Sequence, residues 1–268
     1  MVMRIISYDC AIKSLGVAIV DFDFGKLCRD ICILLDTYIS EEKQIDYPNA
    51  TFHQIYDRIS ELAKLKELIL STIHNNPIIV YLNVFDLIPG KKISESKQLN
   101  TERLHGCLTY TKLIAESGGI DIDTVLVEYQ MNANDKSREV MNQIKNFYSC
   151  SSFGFGQGSS FFSKKFNKRL ISLRLYRSNI NNVKFKIVKP TLKNTIYFNK
   201  ELKYSNICSI SNSISTYKCN KMHCRKNLIY YLKTRGLLGY LDGVKASNID
   251  DIADAFMQAF AWGLSFTF

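Results

Sequence analysis

The chain has no apolar run long enough to cross a bilayer: the longest, residues 255–268, falls short of a membrane span and is interrupted by Gln258. It has no recognisable secretory leader, because Arg4 and Asp9 break the N-terminus where an apolar core would have to lie. The eight cysteines are therefore expected to be reduced thiols in an intracellular protein. A paired Cys-x-x-Cys element is missing, so Cys219, His223 and Cys224, even with Cys208, lack the spacing of a zinc site and are read as unligated. Glycine-rich phosphate loops are missing too, which counts against nucleotide-binding folds of the actin-like kind. There is no internal repeat. His53, His74 and His105 have no catalytic partner near them in sequence and are read as structural.

Acids are scarce in the middle of the chain. Residues 136–245 carry 22 Lys and Arg against three Asp and Glu, whereas residues 1–135 carry 13 against 19 and the last 23 residues carry three acids and no base. The net charge of +10 thus comes from one block. Such a block beside acidic flanks points to a polyanionic partner, since phosphate neutralisation releases counterions, and nucleic acid is favoured over a merely solvated face. Lys164, Lys165, Lys168, Arg169, Arg174 and Arg177 alternate with aromatics and leucines. That mixture suits phosphate contact with rings stacked on splayed bases, or else an ordinary amphipathic helix. Hydrophobic residues at 46% and charged residues at 22% are ordinary globular values, so the chain is expected to fold.

Periodicity predicts an α/β fold. Apolar runs at 3–9 and 15–22, separated by a small turn, read as a hairpin, and 31–39 reads as a third strand, giving an antiparallel start. Helical spacing follows over 51–74. Residues 78–88 read as a buried strand, 101–117 as a helix stopped at Gly118 and Gly119, and 124–129 and 183–188 as further strands. Alternating strands and helices imply parallel pairing, hence a mixed sheet flanked by helices. Short and final helices are expected at 228–238 and 249–264, and a loop over the Ser, Gly and Phe-rich residues 149–163. Residues 194–221 carry no readable period.

Carboxylates stand at telling places in this scheme. Asp9 closes the first strand, and Glu128 closes the apolar run Val125–Val127, where the C-terminal end of a parallel strand faces a crevice. Asp250, Asp251 and Asp254 open the last helix. Helix capping and dipole compensation account for Asp250 and partly for Asp251, but not for Asp254, which shares a helical face with Asp251. Hard divalent cations favour carboxylate oxygen, and a pair of them can activate water and stabilise the leaving oxygen in phosphodiester hydrolysis.

On these residues the chain resembles the RuvC-like Holliday junction resolvases of the ribonuclease H-like superfamily, in particular the poxvirus-type enzymes of large DNA viruses. IISYDCAIKSLGVAIVD looks like the family's first strand, catalytic Asp and second strand, although its turn reads Ala11, Ile12, Lys13 where a glycine is commoner. TVLVEYQ is similar to the strand ending in the catalytic Glu, with Gln130 following, and DDIADAF to the last motif with its paired acids. The resemblance implies a single ribonuclease H-like domain over 1–268, with basic insertions at about 149–180 and 191–220. It also implies catalysis and metal binding by Asp9, Glu128, Asp251 and Asp254, with two Mg²⁺ or Mn²⁺ ions per site. It places a basic residue near the scissile phosphate: RKNLIYYL suggests Lys226, with Arg225 and Lys221 as alternatives. Lys221 and Arg225 join the six bases of 164–177 as expected DNA contacts. The expected partners are four-way junction DNA and a second copy of the chain in a homodimer, and the expected location is the host-cell cytoplasm or virion if the source is viral. Rival readings are a related nuclease acting on other structured DNA or RNA/DNA hybrid, and a non-catalytic nucleic-acid-binding protein of the same fold.

Overall fold

The computed structural model describes residues 2–11, 13–40, 51–89, 101–129, 135–151, 183–209 and 215–265. The basic run 164–177, and the Ser, Gly and Phe-rich stretch beyond residue 151, lie outside the described residues. Two compact units are present, one formed by Asp21–Ile78 with Met1–Met3, the other by Arg4–Val20 with Ile79–Thr267.

The first unit holds helices α1 (Phe24–Ser40) and α2 (Phe52–Asn75). Helix α1 corrects the strand expected at 31–39. The β-branched cluster around Ile31 and Ile33 suggests a strand, but the less exposed positions are Phe24, Leu27, Ile31, Leu34 and Tyr38, at alternating steps of three and four. Asp23 also accepts a hydrogen bond from the Lys26 N–H at 2.9 Å, which satisfies an otherwise orphaned first-turn donor. Arg58 of α2 lies 4.8 Å from the centre of the Tyr38 ring, tying the two helices together.

The second unit is built on a five-stranded sheet in the order β3-β2-β1-β4-β5. Strands β1 (Val2–Cys10) and β2 (Ser14–Asp23) are joined by a connection closed by the Ala11 N–H donating to Ser14 O at 3.1 Å, too short for anything but antiparallel pairing. Strand β3 (Ile78–Asp86) ends beside the same turn, where the Leu87 N–H donates to Lys13 O at 2.8 Å. Strands β4 (Thr124–Glu128) and β5 (Lys184–Val188) extend the other edge in parallel, with Tyr8 opposite Val127 and Glu128 opposite Val188. This is a mixed sheet of an α/β fold, antiparallel at its start and parallel from β1 through β4 to β5.

Strand alternation sorts the side chains. Ile6, Tyr8, Cys10, Val17, Ile19, Val125 and Val127 pack in one core with α3 (Thr101–Glu116) and α4 (Asp135–Ser151). Helix α3 stops at Gly118, whose φ of 88° suits a residue without a Cβ. The alternate residues, Ile5, Ser7, Asp9, Gly16, Leu126 and Glu128, face the opposite side. There α5 (Tyr204–Ser209) packs on α6 (Thr216–Thr234), and α6 on α7 (Ile249–Leu264). Helix α6 begins well before the expected residue 228. Ser215 caps it, and its first half is held by buried His223 and Asn227 in place of an apolar stripe. Among the described residues no helix is long and apolar enough to cross a membrane.

Candidate metal centre

Asp9 and Glu128 sit at the C-terminal ends of neighbouring parallel strands and face the same side of the sheet, where α7 brings Asp254. One carboxylate oxygen from each of the three lies within 4.8 Å of the others. Asp9 and Asp254 are buried, and Glu128 is nearly so.

Two lysines thread the carboxylates. Lys193 Nζ donates to Glu128 Oε2 and to Asp254 Oδ2, both at 2.7 Å. Lys221 Nζ lies 2.7 Å from Asp254 Oδ2, 3.3 Å from Asp251 Oδ1 and 3.4 Å from Asp9 Oδ2. Burial alone would lower both ammonium groups, but the surrounding carboxylates outweigh it and hold each well above the ordinary lysine range. Asp9 is raised as well, which for a carboxyl disfavours the charged form. Burial pushes its carboxyl up to about 7, with Lys221 the main opposing influence and Asp254 and Glu128 adding to the rise.

Of the other sequence-predicted residues, Asp251 stands at the rim, outside the group of three. It accepts a hydrogen bond from Ser14 Oγ at 2.6 Å and shares Lys221 with Asp254. Lys226 is exposed and is not one of the cations at the cluster; Lys221, five residues earlier in α6, occupies that place. Arg225 pairs with Asp250 at 2.7 Å and donates to Ala246 O at 2.6 Å, so it braces the start of α7. Cys208, Cys219, His223 and Cys224 form no metal cluster: among the described residues the only such group is Asp9, Glu128 and Asp254. His223 is occupied otherwise, with Nε2 3.0 Å from Ile196 O and Nδ1 3.3 Å from Asn227 Nδ2.

Lys193 was not singled out by the sequence, because it lies in the stretch read as an insertion. A signal was present: the turn Leu192–Asn194 follows the end of β5, at the same sheet edge as Glu128. Helix α6 pins this segment through three polar residues at helical spacing. Asn220 accepts from Asn194 at 2.9 Å, His223 bonds Ile196 O, and Asn227 Oδ1 accepts from the Phe198 N–H at 2.9 Å. The Phe198 ring then packs 5.0 Å from Tyr231 and 4.6 Å from Phe260.

The cluster fits a hard divalent cation on two grounds. Asp254 Oδ1 is buried without a hydrogen-bond partner, a costly state for an acceptor unless a cation meets it. Four carboxylates, counting Asp251, face two ammonium groups, and when all are ionised this leaves two negative charges, which one divalent ion balances.

The charge balance yields a prediction. In Lys193→Met, Glu128 and Asp254 lose a cation whose side chain is 5% exposed, and metal-free stability should fall by about 3–5 kcal/mol. Mg²⁺ should restore part of the loss by taking over the neutralising role. Denaturant unfolding with Mg²⁺ and with chelator checks this, and equal losses in both would count against an ion at these carboxylates.

Among solved structures the chain is similar to Thermus thermophilus RuvC, at 11% sequence identity and a TM-score of 0.40 over 100% of this chain and 96% of that one. It is likewise similar to the Fowlpox virus resolvase in a complex with substrate Holliday junction DNA, at 13% identity and a TM-score of 0.40 over 98% and 99%. A third similar structure is T. thermophilus RuvC in complex with a Holliday junction substrate, at 11% identity and a TM-score of 0.40 over 99% and 95%. No protein-family model and no curated protein matches the chain.

Proposed function

We propose that the chain is a metal-dependent endonuclease that resolves four-way DNA junctions by paired phosphodiester hydrolysis. The convergence of Asp9, Glu128 and Asp254, drawn from two strands and a helix to within 4.8 Å, carries this reading. Sets of acids from distant segments are assembled where a hard cation must be held with open positions for a phosphate.

Asp9, Glu128 and Asp254 would hold Mg²⁺ or Mn²⁺, with Asp251 at the rim. A bound ion supplies Lewis-acid polarisation of the phosphodiester and a lower pKa for water. The charge balance calls for one divalent ion from the protein alone, and a second would be matched by the charge of the incoming phosphate. Lys221 has the more accessible ammonium, its side chain 16% exposed against 5% for Lys193, so it is the cation an entering phosphate meets first. There it stabilises charge developing on the phosphoryl oxygens. Lys193 acts from beneath, keeping Glu128 and Asp254 in one orientation. The basic middle of the chain supplies backbone affinity for branched DNA. A homodimer would present two sites to a two-fold symmetric junction, as two symmetric nicks require.

Incubation with a synthetic four-way junction, a linear duplex and an RNA/DNA hybrid, each with Mg²⁺ or chelator, tests the proposal. Symmetric paired nicks in the junction with Mg²⁺, and none with chelator, are expected. Preferred cutting of the hybrid would move the assignment to a related nuclease, and junction binding with no cutting under any metal would reduce the chain to a binding protein.

A further inference from the structure

We propose that the helical pair α1 and α2 is a dimer contact, packing on the same pair of a second copy as a four-helix bundle; this takes the homodimer from the nuclease reading above and adds the surface that forms it. The pair stands between β2 and β3, and its helices run antiparallel. Arg58, early in α2, lies over the ring of Tyr38, late in α1, and Asn76, just past α2, donates to Asp23 O, just before α1, at 2.7 Å. The helices meet along a stripe of Leu27, Ile31 and Leu34 on α1 and Leu65, Ile69 and Thr72 on α2. A second apolar stripe stands beside the first on each helix. On α1 it is Cys28, Cys32 and Leu35, at i, i+4 and i+7; on α2 it is Ile59, Leu62 and Leu70, with Lys66 among them. All six apolar side chains are exposed, Ile59 at 60% and Leu62 at 47%. At about 100° per residue, each of these stripes lies roughly a quarter-turn past the contact stripe of its helix. Antiparallel helices traced from N to C wind in opposite senses when seen from one end, so the equal offsets bring both stripes to the same side of the pair.

Size and charge choose what covers this side. Helix α1 is about 25 Å long and two packed helices span about 20 Å, so the side offers about 500 Å² per copy. Two copies bury about 1,000 Å² together, which reaches the area a specific interface needs. The two helices carry five bases and five acids, so charge favours neither nucleic acid nor an anionic membrane as the occupant. The net charge of +10 lies wholly outside them, and this neutral side is where two copies can meet without repulsion. The opposite side of the pair is mixed, with exposed Ile33 and Leu68 standing among Lys26, Asp30, Glu61 and Asn75. Two pairs laid face to face give four helices around one apolar core, and the long Lys66 side chain can run along the seam with its ammonium in water. A two-fold contact of this kind uses the same six side chains twice. It also withdraws the Cys28 and Cys32 thiols from solvent.

The test uses the full chain, in sedimentation equilibrium and in alkylation by N-ethylmaleimide with the modified thiols located by mass spectrometry. Wild type should be a dimer in which Cys28 and Cys32 react slowly, and dilution should speed them. Leu62→Glu places a charge twice on one seam, so it should weaken the dimer roughly 100-fold or more and expose both thiols at concentrations where wild type is dimeric. Leu68→Glu, on the opposite side, should change neither. Circular dichroism establishes that each variant is folded, and Leu35→Glu carries the test if Leu62→Glu is not. A monomeric wild type, or a dimer that survives both Leu62→Glu and Leu35→Glu, overturns the interface. Junction cleavage keeps this apart from the nuclease reading: monomeric Leu62→Glu should still nick a four-way junction with Mg²⁺ but lose the pairing of the two nicks. A wild-type dimer sensitive to Leu62→Glu that cuts no junction overturns the nuclease reading and leaves the interface standing.

Discussion

Asp9→Asn is expected to abolish metal-dependent cleavage and, in the same protein, to raise the stability of the metal-free fold above pH 7. Both effects come from one carboxylate. Burial, with Asp254 and Glu128 adding to it, pushes the Asp9 carboxyl up to about 7, whereas an aspartate in the unfolded chain titrates near 3.9. Between those values the folded state keeps a proton that the unfolded state has lost, so stability falls as pH rises through this window and levels off above about 7. The fall is on the order of a few kcal/mol. Asparagine has no proton to lose. The variant should match wild type near pH 4 and exceed it above pH 7, when both are free of metal. Magnesium reverses the comparison. An ion binds wild type by displacing the Asp9 proton, so its affinity should climb by up to about tenfold per pH unit below 7 and then flatten, while the variant gains little. Cleavage by Asp9→Asn should drop on the order of 10³-fold or more, about 4 kcal/mol of barrier. Unfolding at pH 5 and pH 8, in chelator and in Mg²⁺, run beside junction cleavage, checks every limb. A variant less stable than wild type in chelator at pH 8 would contradict the electrostatic account.

Asp9 and Glu128 are legible in the sequence because each follows a strand-like run, Glu128 after Val125–Val127 and Asp9 after a run broken only by Arg4 and Ser7. Strand alternation then decides which face each occupies, and both face α7. Asp254 stood out for a different reason: an acid one turn inside an otherwise apolar helix is neither a cap nor a solvated residue. The lysines were harder to place. In a block of 22 bases no composition argument separates the one ammonium buried between Glu128 and Asp254 from its solvated neighbours. The resemblance points to Lys226, a base at the start of the expected helix, with Lys221 and Arg225 as alternatives, and it is Lys221, in the polar first half of α6, whose side chain reaches the cluster. That half packs through Asn220 and His223 beside the small Cys219 and Cys224, so its buried face has no long hydrophobic period to read. Helix α4 escaped prediction for a related reason. Its core positions Val140, Met141, Ile144 and Tyr148 are properly spaced but embedded in a strongly polar segment. At α1 the origin is the opposite, since its isoleucines favour a strand by type while the Asp23 cap starts a helix.

Alanine at position 16 is expected to move α7 and so dismantle the cluster without removing any of its residues. Gly16 lies in β2 on the face towards α7. A Cβ there would stand 2.2 Å from the carbonyl oxygen of Asp251, 2.5 Å from its carbonyl carbon and 3.1 Å from its Cβ. The nearest two are backbone atoms and cannot swing aside, so strand and helix must part. The displacement falls on the turn of α7 that carries Asp251 and, one turn on, Asp254. It strains the 2.6 Å bond from Ser14 Oγ to Asp251 and the 2.7 Å pair between Lys221 and Asp254. Overpacking of this kind costs about 1–3 kcal/mol or more. A shift of about 1 Å in a ligand set lowers the rate roughly 100-fold. Junction affinity through the basic block should survive. Gly106 provides the control: it lies within α3 with nothing within 4 Å of an added Cβ, so Gly106→Ala should be neutral or stabilising by about 0.5–1 kcal/mol. Thermal melts, Mg²⁺ titration and junction cleavage on both variants give the comparison. If Gly16→Ala melts and cuts as wild type does, the close approach of β2 to α7 is not what sets Asp251 and Asp254 against Asp9 and Glu128.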